Sequence, residues 1–421
     1  MNEAKIVLVL TVLASLLCPP SAHALSPGQE KFLDKLSRDS FGYFMEETNP
    51  ENGLIKDSSR LGAPCSVAVV GFGLTALCIG ESNGWVSREE AYDRIVRILR
   101  TFTGKVPHEH GFFYHFLDMR TGKRAWNSEV SSIDTALFLA GALFAGQYFK
   151  DTEVDRLARF LYERVDWPWM MNSREVMCMG WKPETGFLMY YWDSYSEATI
   201  LYALAIGSPT HPIEEKAWFA WKRPRDLYGE YEVVYSYFGS IFTYQYSHAW
   251  IDFRNLCDRA GGVNYHDNSV SATLANRQFC INNSDKHTGY GENSWGLTAS
   301  LGPDGYRGYG ARPGAAINDG TIAPCGMAGS LIFAEEECIK GLKHLYEKHR
   351  KFLYGKYGFK DAFNEDEGWW AEEYLGIDVG ITLIMLENCK RGFVRKAFMG
   401  TDPIKSWAQK CFKIQEESKN I

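Results

Sequence analysis

The chain has 421 residues, of which 45% are hydrophobic and 23% charged, enough to bury one large core or two ordinary ones. A net charge of -7 gives no electrostatic reason to expect nucleic acid or an anionic membrane as partner. Aromatic residues make up 14%, with 13 Trp and 23 Tyr, more than a core alone usually recruits, and both suit wet, partly apolar binding faces.

At the N-terminus, Lys5, the apolar run Ile6 to Leu17 and then Ala22-His23-Ala24 read as the three regions of a secretory signal over residues 1–24. Cleavage is expected after Ala24. Leu17 before Cys18 is larger than a lipid-attachment site requires. No later run approaches the ~18 apolar residues of a membrane span. Residues 25–421 are therefore expected as a single monomeric domain, periplasmic or secreted, without stable membrane insertion. Cys65, Cys78, Cys178, Cys257, Cys280, Cys325, Cys338, Cys389 and Cys411 form no C-x-x-C or zinc-like cluster, so neither metal nor cofactor is expected. Buried free thiols are the expected state for most of them.

Along the chain two kinds of helix alternate. Amphipathic helices are predicted over Gln29 to Phe44, Arg88 to Phe102, Thr152 to Val165, Ser269 to Ile281 and Glu335 to Lys348. In the second, Ala91, Ile95, Ile98, Leu99 and Phe102 keep the 3.6 period while Arg94, Arg97 and Arg100 face out. Between them come helices apolar on nearly every side, which are buried helices: Val67 to Gly80, Ser132 to Phe149, Ser194 to Ile206, Tyr244 to Asn255, Thr321 to Phe333 and Asp378 to Asn388. This pattern predicts an all-α fold, an (α/α)6 toroid of six inner and six outer helices.

Three inner helices open on aromatic and acidic runs. Trp126-Asn-Ser-Glu129 and Asp134 precede or begin the second, Tyr190-Tyr191-Trp192-Asp-Ser-Tyr195-Ser-Glu197 the third, and Trp369-Trp370 with Asp378 the last. Ser194-x-x-Glu197 is also a capping box. In a closed ring these N-termini share one end, so Asp134, Glu197 and Asp378 would converge on one cleft. Hydrolysis of a glycosidic bond needs one protonated carboxyl and one carboxylate. Glu197 is assigned the acid, because flanking aromatics desolvate it, although a helix N-terminus pushes its pKa the other way. Asp378 is the preferred base, with Asp134 as rival and Glu129 ranked lower. Trp126, Tyr191, Trp192, Tyr195 and Trp370 are candidate sugar-stacking residues.

The stretch Trp295 to Gly320 reads as a long Gly-rich loop without the Lys-Ser/Thr ending of a phosphate loop. Its Tyr306, Arg307, Tyr309 and Arg312 are candidate substrate contacts. His108, His110 and His115 read as loop or hydrogen-bonding histidines rather than metal ligands. Asp252 and Arg254 read as a buried ion pair on an inner helix.

Ser208-Pro-Thr-His-Pro-Ile213, Tyr246-Ser-His-Ala-Trp-Ile-Asp-Phe-Arg254, Trp295-Gly-Leu-Thr-Ala-Ser300, Asp319-Gly-Thr-Ile-Ala-Pro324, Tyr357-Gly-Phe-Lys-Asp-Ala-Phe-Asn364 and Tyr374-Leu-Gly-Ile-Asp378 together resemble the bacterial glucoamylase-like family. That family includes the endo-β-1,2-glucanases of glycoside hydrolase family 144 and a domain of cyclic β-1,2-glucan synthases. The resemblance runs in order through most of residues 25–421. It implies an (α/α)6 toroid and inverting chemistry on a glucan, with Glu197 and Asp378 at the family's glutamate and late aspartate. The departure is Ser131-Ser-Ile-Asp134-Thr, where the endoglucanases carry Asp-x-x-Glu-Thr, so one acid is absent and the other is shorter. That departure weighs against a strict endo-β-1,2-glucanase. Two other readings stay open: a polysaccharide lyase on a uronate glycan, for which Tyr306, Arg307 and Arg312 would serve, and a non-catalytic glycan-binding protein.

Overall fold

The computed structural model describes residues 25–237, 239–311 and 317–414; the expected signal segment and Arg312 lie outside the described residues. Helices dominate. In chain order they are α1 (Pro27–Glu46), α2 (Val67–Ser82), α3 (Arg88–Gly104), α4 (Ser132–Tyr148), α5 (Glu153–Glu163), α6 (Trp167–Met171) and α7 (Thr199–Gly207). There follow α8 (Lys216–Ala220), α9 (Tyr265–Asn282), α10 (Pro324–Ala328), α11 (Glu335–Leu353), α12 (Gly376–Arg391), α13 (Phe393–Phe398) and α14 (Asp402–Cys411). Strands are two to four residues long and make only small two- and three-stranded sheets. Among the described residues no helix is long and apolar enough to cross a membrane.

The predicted apolar helices α2, α4, α7 and α12 are present and bury nearly every residue. Their contact is close because glycines face each other where α2 crosses α4. A Cβ on Gly71 would sit 2.3 Å from the Leu137 carbonyl oxygen, and one on Gly141 would sit 2.0 Å from that of Gly71. The amphipathic α1, α3, α5 and α11 begin and end near their predicted bounds; the first three pack their apolar stripes against this layer and α11 packs on α10. Helix α9 starts earlier than predicted because Asn264 caps it, its side chain accepting from the N–H groups of His266 and Asp267.

Two predicted inner helices are not regular helices. Residues 241–249 form only two 3-10 turns, because their polar side chains bond to neighbouring elements. Gln245 Nε2 donates to Gly326 O and Ser330 Oγ, and Ser247 Oγ donates to Glu197 O. Over 321–333 the chain starts as a strand paired with Phe363–Asn364, and helix is confined to α10. Gly326 there faces Gly296, whose backbone lies 2.8 Å from where a Cβ would be. Helix α7 also starts five residues later than predicted. Ser194 bridges to Lys222 and the Tyr195 N–H donates to Lys222 O, which holds the chain extended up to the turn containing Glu197. The Ser194–Glu197 capping box is therefore not formed.

Helix α14, not among the predicted helices although Thr401-Asp-Pro marks its start, packs along α7, with Gly207 against the Pro403 backbone. The strand after it pairs with Leu256–Asp258. One apolar cluster runs from Phe41 to Phe412, and a second, around Trp295, Met327, Leu342 and Leu345, lies between α10 and α11. The nine described cysteines are free, and seven of them are buried. Asp252 and Arg254 do pair, but in a non-helical segment, with the guanidinium largely at the surface.

Candidate active site

Two apolar helices deliver an aspartate at the same place, the third residue of the first turn. Ser131 caps α4; its hydroxyl accepts from the Asp134 N–H at 3.2 Å and donates to the Asp134 carboxylate. Leu375 begins α12, and its carbonyl accepts from the Asp378 N–H at 3.1 Å. Both aspartates are buried. Asp134 lines an open cleft of about 700 Å³, together with Asp57, His115, Phe116, Trp126, Tyr306 and Glu373. Asp378 lines a smaller pocket that shares the wall residue Leu375 with it.

Glu197 belongs to the same constellation through its electrostatics. Burial pushes its carboxyl up to about 7, and Asp134 adds to the rise. The opposing pull, a hydrogen bond from the backbone N–H of Glu197 itself, does not outweigh burial. Tyr246 lies where both Asp378 and Glu197 raise its phenol, on top of the larger effect of burial. Burial likewise raises Asp378 to about 6, against the Asp361 carboxyl, the Cys325 thiol and the Tyr246 phenol, which favour its ionised form.

His115 sits between two acids. Its Nδ1 is 3.1 Å from Glu129 Oε1 and its Nε2 is 3.6 Å from Asp134 Oδ1. Burial alone would discharge the ring, but Asp134 and Glu129 together outweigh it and hold its pKa at about 9. The imidazolium in turn pulls Glu129 down to about 2. Asp57 is raised to about 6 by burial, with Asp134, Asp378 and Glu373 adding and His115 opposing. Its backbone is fixed on both sides, by its N–H to Pro64 O and by the Gly376 N–H to its carbonyl.

The predicted sugar contacts divide. Trp126 is 68% exposed on the cleft wall, edged by Phe116 at 4.9 Å. It holds a left-handed φ of 53°, strain of a kind that gathers at working sites. Tyr306, 61% exposed, also lines the cleft. The expected loop around it is a hairpin, Ala299–Gly302 against Gly305–Gly308. Glu129 is held by His115. Trp192 donates from Nε1 to Ser132 Oγ at the start of α4. Tyr191 lies under the Arg174 guanidinium and accepts from Asn172, and Arg307 pairs with Asp304.

Three candidates require correction. Tyr195 is 2% exposed and stacks face to face on Tyr265. Tyr309 is fully buried, its hydroxyl donating to Asp319. Trp370 packs on Phe352 and His349 of α11, away from the cleft wall. Each is consumed by packing. Sequence reasoning passed over His115 as a site residue and missed Asp57 and Asp361. The first two sit on loops without a helix-start pattern. Asp361 stood inside the Tyr357–Asn364 motif and could have been found there. Among the described residues no group of three or more His, Cys, Asp or Glu side chains is arranged to hold a metal ion.

Residues 189–402 match the family model described as "Putative glucoamylase". A solved "putative glucoamylase" of Bacteroides uniformis is 30% identical, with a TM-score of 0.86 over 93% of this chain and 98% of its own. An endo-β-1,2-glucanase of Chitinophaga pinensis, solved with sophorotriose and glucose, is 28% identical, with a TM-score of 0.86 over 93% of this chain and 99% of its own. An exo-β-1,2-glucooligosaccharide sophorohydrolase of Parabacteroides distasonis is 27% identical over 92% of this chain, which spans 58% of that relative's length.

Proposed function

This chain belongs to the glucoamylase-like family, and from that membership we propose that it is an exported glycoside hydrolase that cleaves β-1,2-linked glucan or its oligosaccharides with inversion. The observation that carries the proposal is the division of labour among the buried acids. Burial raises both carboxyls, but Asp134 adds to the rise at Glu197 while Asp361, Cys325 and Tyr246 pull Asp378 back toward its ionised form, so Glu197 is the one that more readily keeps its proton. Pairs of carboxyls pushed apart by their surroundings are how one site runs acid and base chemistry together.

Glu197 is the general acid that protonates the leaving oxygen. Asp378 is the base that takes a proton from the attacking water. It is preferred over Asp134 because both oxygens of Asp134 are engaged, one by His115 and one by Ser131. Asp378, by contrast, has no cation beside it, and the groups that favour its ionised form are the Asp361 carboxyl, the Cys325 thiol and the Tyr246 phenol. Asp134 keeps the Glu197 acid charged with its proton by repulsion. Trp126 and Tyr306 offer ring faces to the sugar.

A ring closure of the (α/α)6 kind is part of the proposal. Supporting it, α2 packs on α4 and α12, α4 on α7, and α10 on α12. Ser247 ties the 241–249 turns to α7, and Gln245 ties them to α10. A lyase acting on uronates is disfavoured because Asp57, Asp134 and Glu373 on the cleft wall offset Arg60 and His115, leaving no excess of positive charge to hold an anionic chain. The test is incubation with linear and cyclic β-1,2-glucan, other β-glucans and α-glucans, recording product size and anomer. Release of inverted-anomer fragments from β-1,2-glucan is expected. Tight binding without new reducing ends, or an unsaturated ultraviolet-absorbing product, would overturn the reading.

A further inference from the structure

The Asp378 carboxylate has a buried neighbour to which no role has yet been given. Asp361, 3% exposed, and Asp378, 6% exposed, wall the same small pocket. Their carboxyls are within hydrogen-bonding reach of one another. Asp361 Oδ2 accepts from the Leu301 N–H at 2.6 Å. Its Oδ1 has no other partner among the described residues, and neither has Asp378 Oδ2. Two carboxylates that meet away from water cannot both be ionised, since their repulsion adds to the desolvation of each. Two neutral acids would leave the site without a base.

We infer that Asp361 and Asp378 share one proton, and that Asp361 is the positioning residue whose O–H holds the Asp378 carboxylate ionised and aimed. The inference rests on the assignment of Asp378 as base in the proposed reaction. The direction of each group agrees with it: burial and then Asp378 push Asp361 far above the carboxylate range, while Asp361 pulls Asp378 down. The Leu301 N–H selects which oxygen of Asp361 stays free to carry the proton. Because Leu301 belongs to the hairpin that presents Tyr306 to the cleft, Asp361 also fastens that wall to the base.

The other titratable groups around the pair are distributed over every element that packs on it. Cys325 comes from α10, Tyr246 from between the 3-10 turns, Tyr306 from the hairpin, and Asp57 and Glu373 from the loops before α2 and α12. Lys360 and Tyr357 also line the pocket. The two acids, Asp57 and Glu373, raise the cost of a second negative charge at the pair, in the same direction as burial.

The decisive comparison is between Asp361→Asn, which keeps a donor toward Asp378, and Asp361→Leu, which fills the space without one. In the pH profile of kcat on β-1,2-glucan, Asp361→Asn should leave the acid limb in place. Asp361→Leu should move it up by about one unit or more, the loss of one hydrogen bond to a buried carboxylate. An unmoved limb in Asp361→Leu, or equal shifts in both variants, would overturn the inference. A second arm needs no substrate. A carboxyl whose folded pKa is raised contributes stability below its unfolded value of about 4, and that contribution is lost as pH rises. The melting temperature of Asp361→Asn should therefore gain on wild type steadily from pH 4 to pH 8. A constant difference would sink the shared proton. If no glucan is cleaved by wild type, the base assignment fails, and the melting series still decides the pair.

Discussion

At the scale of single residues, the cleft is organised by which carboxyls can afford a charge. Glu197, pushed to about 7 by burial, has no strong cation beside it to pull it down. Glu129, only one imidazolium away from Asp134, is held at about 2. Glu197→Gln should lower kcat at least ~100-fold, the range for loss of general-acid assistance. Since Glu197 caps no helix, the melting temperature should barely change; a folding defect with retained specific activity would mark Glu197 as structural. For the wild type, kcat against pH should be bell-shaped. Activity rises as Asp378 ionises through about pH 6 and falls as Glu197 loses its proton through about pH 7. A plateau extending well above pH 8 would contradict Glu197 as the acid. The acids of this bell were legible because each precedes or opens an apolar helix. His115 and Asp57 were not, because a loop residue becomes a site residue only by what folds against it.

At the scale of elements, helix periodicity carried far. Helices α1 to α5, α11 and α12 fall close to their expected bounds because apolar stripes and caps are local signals. The exceptions share one cause. Where polar side chains bond across to other elements, as Gln245 and Ser247 do, they replace the helix's own ladder, and the apolar count alone does not reveal it. The α2–α4 crossing is the element-level weak point. Gly71→Ala would place a Cβ against the Leu137 backbone, which cannot rotate away. The expected cost is about 1–3 kcal/mol of overpacking, read from denaturant midpoints. Stability equal to wild type would mean that the two helices are more loosely packed than drawn.

At the scale of the whole molecule, the last helix completes what the middle of the chain leaves open. Between α7 and the 3-10 turns the one described helix is the single-turn α8, and α14 packs along α7 instead. Trp407 meets Trp218 there, and Phe412 packs on both. Truncation after Gly400 should therefore expose the apolar face of α7 and abolish cooperative unfolding, followed by calorimetry. Full-length protein should unfold in one transition, because no helical hairpin buries its own inner face. A stable half released by limited proteolysis would contradict this.

The sequence by itself determined that the chain is helical, that α2, α4, α7 and α12 are buried and α1, α3, α5 and α11 amphipathic, and that Asp134 and Asp378 stand at buried helix starts. Those properties follow from spacing along the backbone, and spacing is written in the chain. Only the tertiary structure decided that Tyr195, Tyr309 and Trp370 are packing rather than binding residues, and that α14 packs on α7. It alone brought His115, Asp57 and Asp361 to the acids. Whether a ring is spent on the core or offered to a ligand, and whether a carboxyl keeps its proton, depend on neighbours supplied by distant segments. No local pattern encodes them.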